Sequence, residues 1–401
     1  MGYVGVKPSA VPLTSADIAD GIITSAKIVD GTIVNADINA SAAIVATKLT
    51  GISSQPFRNI VINGDMQIAQ RSTSVSSITA TGYYTLDRFQ TALSSLGTWT
   101  QSQSTDVPSG YGFSKSLKMD CTTADASPSA GDFMVLGQYF EGQNLQYLKK
   151  GTAGALSLTA SFWVKSTKTG TFICELLDND NSRTISKSYT VSVSNTWEFK
   201  TVTFPGDTSG ALDNNNERSL DLNFWLGAGS TYSSGTLQTT WGARVDANRA
   251  VGQVNIADST SNDFFITGVQ LEAGTSATDF EFLPIDVSLA RCQRYFYVHV
   301  NGANQQISGG FLYNNTTVIC NIEFSNTMRS APTGTFSNNT DDFIFYRNND
   351  NDTFDTFTTQ FETTTDRCNI RNDTQISGTG GQAGFVLAEK STAKITFSSE
   401  L

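Results

Sequence analysis

The sequence predicts an all-β protein made of an extended N-terminal repeat segment, a jelly-roll β-sandwich and a smaller C-terminal β-sandwich. Three observations carry this reading. Gly, Ser, Thr and Asn fill the 401 residues while charged helix formers are scarce, only 16% of the chain being Asp, Glu, Lys or Arg. Aromatic and β-branched residues come in short runs that alternate apolar with polar. Turn dipeptides and Asn/Asp/Gly clusters separate those runs. A chain of this length accommodates two or three domains, each with its own core.

The first element, residues 1–54, is repetitive. Ala16-Asp17-Ile18, Ala26-Lys27-Ile28 and Ala36-Asp37-Ile38 recur at a spacing of ten residues, with the turn pairs Asp20-Gly21 and Asp30-Gly31 between them. Each decad therefore reads as a strand, a turn and a strand. So small a unit cannot bury its isoleucines alone, and it must stack on neighbours or wind around identical copies, three chains about one axis being the simplest arrangement. A flexible Ser/Thr/Ala linker is the alternative.

The second element, residues 55–285, holds the jelly roll. Within 156–165, Leu156, Leu158, Ala160, Phe162 and Val164 share one face, and Ser157, Thr159, Ser161, Trp163 and Lys165 the other. Leu220, Leu222, Phe224 and Leu226 likewise oppose Asp221, Asn223 and Trp225, and a third run sets Phe265, Thr267, Val269 and Leu271 against Gln270 and Glu272. This is the pattern of half-buried antiparallel strands, and many of them without an amphipathic helix indicate a sandwich. The third element, residues 286–401, opens with a short helical lead over 287–296. Strand-like runs follow at 317–324, 343–346, 354–361, 385–387 and 394–397, enough for a second, smaller sandwich.

Composition also excludes function classes. Lysine and arginine number 26 against 37 acids, so the net charge of −11 offers no basic face to nucleic acid. Cys121, Cys174, Cys292, Cys320 and Cys368 are odd in number and lack CxxC spacing, which predicts buried free thiols from a reducing cytosol and neither disulfides nor zinc. The N-terminus shows no signal-peptide pattern and no apolar run nears the ~20 residues of a membrane span, so neither export nor membrane insertion is expected. Synthesis in the cytosol and release by lysis inside an assembled particle fits this pattern.

The single histidine, His299, shares a strand face with Tyr295 and Tyr297 and has no nucleophile motif beside it, so it reads as a strand residue and not as a catalytic base. Clusters such as Asp178-Asn179-Asp180 and Asn348 to Asp352 read as turns. Their oxygens could hold a structural calcium but lack EF-hand order, and no cofactor is expected. Trp163 and Trp225 are the sharper candidates. Both fall out of phase with the core positions and share their faces with Lys165, Asp221 and Asn223. A flat indole beside polar side chains suits the apolar face and hydroxyl edge of a sugar, so these five residues form a candidate glycan face on one sheet. Packing against another subunit would use the same residue types.

Several ordered motifs support a family resemblance. Asn59-Ile60-Val61-Ile62-Asn63-Gly64-Asp65-Met66, Gln70-Arg71, Tyr84-Thr85-Leu86-Asp87-Arg88-Phe89, Ser161 to Lys165, Val269 to Gly274, Leu289 to Phe296, Met328 to Thr333 and Ser399-Glu400-Leu401 follow one another along the chain. In this order they resemble a family of phage tail-fibre and related virion proteins with a carbohydrate-binding-like jelly roll. The resemblance implies a virion subunit and usually a homotrimer; no enzymatic activity is expected from the residues themselves, since no nucleophile motif is present and the acids fall mostly in turns. Residues 1–54 would contact other tail proteins, and the distal domains a host-surface polysaccharide or protein receptor. A capsid-attached fibre or tail adaptor, and a polysaccharide-degrading tailspike, are the alternatives.

Overall fold

Alternation of apolar and polar residues builds two packed sheets between Ser74 and Ala273 in the computed structural model, which describes residues 57–401 other than Asn349, with Thr24, Ile28 and Val29 besides. The ten-residue repeats lie outside the described residues. One sheet has the order β1 (Ser74–Ile78), β4 (Thr98–Ser104), β5 (Ser116–Thr123), β13 (Asp263–Ala273), β7 (Leu158–Ser166), β10 (Glu198–Phe204). The other runs β12 (Gly242–Ala243), β9 (Arg183–Val191), β8 (Gly170–Asp178), β11 (Arg218–Ala228), β6 (Phe133–Glu141), β3 (Gln90–Ser94), β2 (Gly82–Tyr83). Neighbouring strands pair antiparallel, and the chain crosses repeatedly between the sheets, as in a jelly roll.

The core lies between the two inner faces. Leu158, Ala160, Phe162 and Val164 of β7 meet Leu220, Leu222, Phe224 and Leu226 of β11, with Phe162 edge-on to Phe224 at a centroid distance of 4.9 Å. Each of the Leu, Val and Phe side chains among them stabilises the fold by about 1.5–3 kcal/mol through burial. Strand β13 departs from the expected single face. Its register shifts between Thr267 and Gln270, where Gly268 adopts φ +61°, a left-handed value that costs glycine little. Phe264 and Ile266 face the core before this bulge and Val269 and Leu271 after it, so Phe265 and Thr267 turn to the outside.

The C-terminal sandwich repeats the plan with less material. A three-stranded sheet, β14 (Phe296–Asn301), β23 (Lys394–Ser398), β17 (Thr333–Phe336), covers a seven-stranded one. The latter is ordered β19 (Asp352–Phe354), β18 (Phe343–Tyr346), β22 (Ala383–Ala388), β15 (Gln306–Asn314), β16 (Thr317–Glu323), β21 (Arg367–Asn372), β20 (Thr359–Phe361). The expected strand over 354–361 is thus two strands, one on each edge. Phe343, Phe345, Val318, Ile370, Ile395 and Phe397 fill the interior. His299 is half-buried in β14, its Nε2 2.8 Å from the Ile307 carbonyl, and burial lowers its pKa.

The two sandwiches meet through a polar junction around the helix Ile285–Gln293. Arg88 is wholly buried, pairs with Glu400, donates from Nη2 to the Tyr139 carbonyl at 2.7 Å and lies over the Tyr295 ring at 3.5 Å. Arg71 adds a second cation to Glu400 at 3.0 Å. Arg294 grips the buried Glu141 with two 2.7 Å bonds. Burial works to raise the Glu141 carboxyl, but Arg294 and the Tyr295 hydroxyl outweigh it and hold it below the usual range.

All five cysteines are buried and unpaired. Burial pushes the Cys121 thiol up to about 11 and those of Cys320 and Cys368 to about 12, and raises Cys174 and Cys292 as well. A protonated, enclosed thiol is a poor nucleophile. The native protein is therefore expected to leave a thiol-specific disulfide reagent unreacted at pH 8 for hours, and to titrate five thiols once unfolded in guanidinium. Fast reaction of any of them in the native state would contradict this burial.

Candidate functional site

The outer face of the six-stranded sheet carries a cleft built where β10, β7 and β13 run side by side. Strand alternation turns Ser161, Trp163 and Lys165 away from the core, and the register sets Trp163 opposite Phe199 on β10 and Thr267 on β13. Gly268 makes the adjoining hollow, because a Cβ there would come within 2.6 Å of the Phe113 ring. Tyr111 and Phe113 arrive from the β4–β5 connection, and Asp279, Phe280 and Phe282 from the segment after β13.

The result is a cleft of about 500 Å³ with two aromatic walls. In one, Tyr111 rests on Trp163 with centroids 4.2 Å apart, and Phe199 stands 5.4 Å from Trp163. In the other, Phe113, Phe280 and Phe282 contact one another at 4.8–5.1 Å. Tyr111, Phe199 and Phe282 are exposed and Trp163 is half-buried. The polar contribution comes from Ser161, Thr278 and Asp279, the last being the one charged side chain in the lining. Arg58 approaches the rim, donating to the Asp279 carbonyl at 2.7 Å.

Lys165 lies beside this cleft but is committed elsewhere. It is buried, pairs with Asp106 and sits 4.4 Å over the Phe265 ring, while Trp197 Nε1 donates to Asp106 at 2.9 Å. Partial burial works to raise the Asp106 carboxyl, but Lys165 and the Trp197 N–H outweigh it and hold it below the usual range.

The other three candidates are not on this face. Asp221, Asn223 and Trp225 belong to β11, in the opposite sheet, so the five residues do not form one surface. They are also buried, and over Trp225 the connection from β11 to β13 folds back and brings Tyr232, Leu237 and Ala250 onto the indole. Underneath lies a closed polar network. Buried Glu175 accepts from Arg249 Nε at 2.7 Å and Nη2 at 2.9 Å, from Thr184 at 2.9 Å, and from Trp225 Nε1 and Asn223 Nδ2 at 3.2 Å each. Asp221 is held by Arg218 and Asn179. Burial raises its carboxyl in spite of Arg218. These are structural roles, and of the five only Trp163 lines the cleft.

Tyr111, Phe199 and Phe282 carry no signal of a site in the sequence, and Asp279 and Phe280 enter there only through the Ala277-Thr278-Asp279-Phe280-Glu281 motif of the family resemblance. Tyr111 does stand between Gly110 and Gly112 in a stretch without strand pattern, where an aromatic side chain has no core to fill. Among the described residues no group of three or more His, Cys, Asp or Glu side chains converges as a metal site. Of the turn acids, Asp178 pairs with Lys150 and Asp352 with Arg347.

No protein-family model matches the chain, and no curated relative matches it. Solved structures show a partial likeness. The enzymatically active domain of tailspike protein 4 from bacteriophage CBA120 is similar at 16% identity and a TM-score of 0.29, over 55% of this chain. The chain spans only 22% of that domain's length. A family 11 carbohydrate-binding module from Clostridium thermocellum aligns at 12% identity and a TM-score of 0.23, over 53% of this chain and 95% of the module. A xylan-binding domain from Paenibacillus barcinonensis aligns at 11% identity and the same TM-score of 0.23, over 51% of this chain and 94% of that domain.

Proposed function

We propose that this chain is a bacteriophage fibre subunit that adheres to host-surface glycans through the Trp163 cleft, acts as a homotrimer, and joins other tail proteins through residues 1–54. The observation that carries adhesion is the cleft itself: solvent-open aromatic faces beside Ser161, Thr278 and Asp279. Sugar rings present an apolar face to stack and hydroxyls to bond, which suits open aromatic faces beside a few polar groups. A binding role without hydrolysis is supported by the lining. Glycoside cleavage uses two carboxylates about 5–9.5 Å apart, and among the described residues Asp279 is the one carboxylate lining the cleft. Weak single contacts suffice for a fibre, because three linked sites on a particle that carries several fibres multiply their avidity.

The test is binding of the purified protein to an array of host-envelope polysaccharides, beside Trp163→Ala and Phe199→Ala. Each substitution is expected to weaken monovalent affinity about tenfold, the equivalent of about 1.4 kcal/mol, while mass and melting temperature hold. Undiminished glycan binding with the oligomer intact would overturn the assignment. Loss of the oligomer itself would instead make the cleft a contact between subunits.

A further inference from the structure

A second cleft, of about 320 Å³, opens where the helix Ile285–Gln293 meets the jelly roll. Phe57 and Ile60 border it from the segment ahead of β1, and Asn144 and Tyr147 from the two short 3-10 turns that follow β6. The helix end contributes Arg291 and Arg294, which a spacing of three residues sets on one face. Arg294 is committed to Glu141, the one carboxylate among the residues lining the cleft. A carboxylate has about four acceptor sites. Glu141 uses them on the two bonds from Arg294, on the Tyr295 hydroxyl and on Gln143 Nε2, and none remains for Arg291. The Arg291 guanidinium makes one long bond, from Nη2 to the Asn59 carbonyl at 3.5 Å. Asp65 and Glu281 line a narrow hollow that Arg291 also borders, yet neither makes an ion pair with it, and Glu281 Oε2 instead accepts the Asn59 N–H at 2.9 Å. Among the described residues every other arginine that is shielded from water has a carboxylate in ion-pair range, and Arg367, also unpaired, is exposed. Burial lowers the pKa of the Arg291 guanidinium, whereas Glu141 raises that of Arg294.

We propose that this cleft is a second ligand site, which takes a single carboxylate or phosphate carried on a sugar-sized ring, with Arg291 as the partner of the anion. A half-enclosed guanidinium without a counter-charge has lost part of its hydration and has no ion pair to offset that loss. An oxyanion that reaches it is held by charge-assisted bonds, which the planar guanidinium donates two at a time. The walls favour an anion attached to a ring. Phe57 is 58% exposed and Tyr147 half-buried, so both offer aromatic surface, and the exposed Asn144 amide stands beside them for hydroxyl groups. The volume lies near the low end of the ~300–1,000 Å³ usual for ligand clefts, which suits one ring and not a run of them. Charge narrows the ligand further. A chain of net charge −11 repels a polyanion, so the fitting ligand is an isolated anionic residue among neutral ones. The inference does not depend on the Trp163 cleft, and either can fail without the other.

The experiment is calorimetric titration of the full chain at low ionic strength with methyl glucuronide, with glucose 6-phosphate and, as the uncharged comparison, with methyl glucoside. Wild type is run beside Arg291→Gln, Tyr147→Ala and Trp163→Ala. At least one anionic probe is expected to bind wild type about tenfold or more tighter than methyl glucoside, and Arg291→Gln to remove that advantage. Whichever anionic probe binds more tightly assigns the site to an acidic sugar or to a sugar phosphate. Arg291→Gln breaks no ion pair, so its melting temperature is expected to hold. Should it fail to fold, Tyr147→Ala at the cleft wall carries the test, and it should weaken the anionic probe several-fold. Trp163→Ala should leave the anionic probe untouched, and a loss there would place the anion in the other cleft and overturn the proposal. Equal binding of charged and uncharged probes, or no binding of either anion, overturns it as well.

Discussion

Glu400→Ala is expected to lower the free energy of unfolding by about 3–5 kcal/mol, the usual cost of leaving one partner of a buried ion pair uncompensated. Arg88 has no exposure to water, and its other contacts, the Tyr139 carbonyl and the Tyr295 ring, are too weak to replace a carboxylate. Burial works to lower the pKa of this guanidinium, yet Glu400 outweighs it and raises it, so Arg88 stays charged at any working pH. Glu400→Gln should lose somewhat less, because an acceptor oxygen remains. Urea titration followed by tryptophan fluorescence would measure both. A loss below about 1 kcal/mol for the alanine variant would show that water or another group reaches Arg88.

Arg249→Ala should be comparably damaging, again by about 3–5 kcal/mol, for the mirror-image reason. It strands the Glu175 carboxylate beneath Trp225 with only the neutral donors of Thr184, Asn223 and Trp225. Glu175→Leu with Arg249→Met removes both charges and leaves no ion to solvate, so the double variant is expected to recover much of the stability lost by Arg249→Ala. A coupling energy of several kcal/mol between the two positions in a double-mutant cycle is the expected signature. Simple additivity would mean that the pair is not coupled in the folded protein.

The strands were legible wherever one face meets the core and the other meets solvent. The apolar alternation of Leu158, Ala160, Phe162 and Val164 marks the face that meets the core, although Thr159 and Ser161 on the other face are buried as well, and the all-β class follows from many such runs. Three physical effects hid the rest. A bulge reverses phase within a strand, so the pattern through Phe265 and Leu271 merges two faces into one. A long connection can bury an outer face as deeply as an inner one: Asp221, Asn223 and Trp225 look solvent-facing in sequence, yet Trp225 lies against Tyr232 and Ala250, Asn223 bonds to buried Glu175 and Asp221 is held by Arg218 and Asn179. Glycine pairs also disguise strands. β15 is interrupted by Gly309-Gly310 and gives no strand signal in the sequence, although it stands in the middle of its sheet and carries Phe311 and Tyr313.

The motifs that resemble phage fibre proteins prove to be mostly structural. Asn59 takes backbone N–H groups from Val61 and Leu271, Asn63 ties its turn to Ile68 and Asp87, and Arg88, Arg294, Arg329 and Glu400 form the junction. Such positions tolerate few residue types because each fills several backbone valences at once. Ser161 and Trp163 of the cleft belong to one of these motifs and stand on the interior strand β7, whereas Tyr111, Phe113 and Phe282 stand on connections, where backbone demands are few.

The pairing of Arg88 with Glu400 also sets a clock on synthesis. The two residues are 312 positions apart, so a ribosome working at about 5–20 residues per second delivers the carboxylate some 15–60 s after the guanidinium. Throughout that interval the jelly roll must either hold a charge in water, with its interior ajar, or wait. The jelly roll therefore closes over Arg88 only once the C-terminal sandwich that supplies its counter-charge has been synthesised.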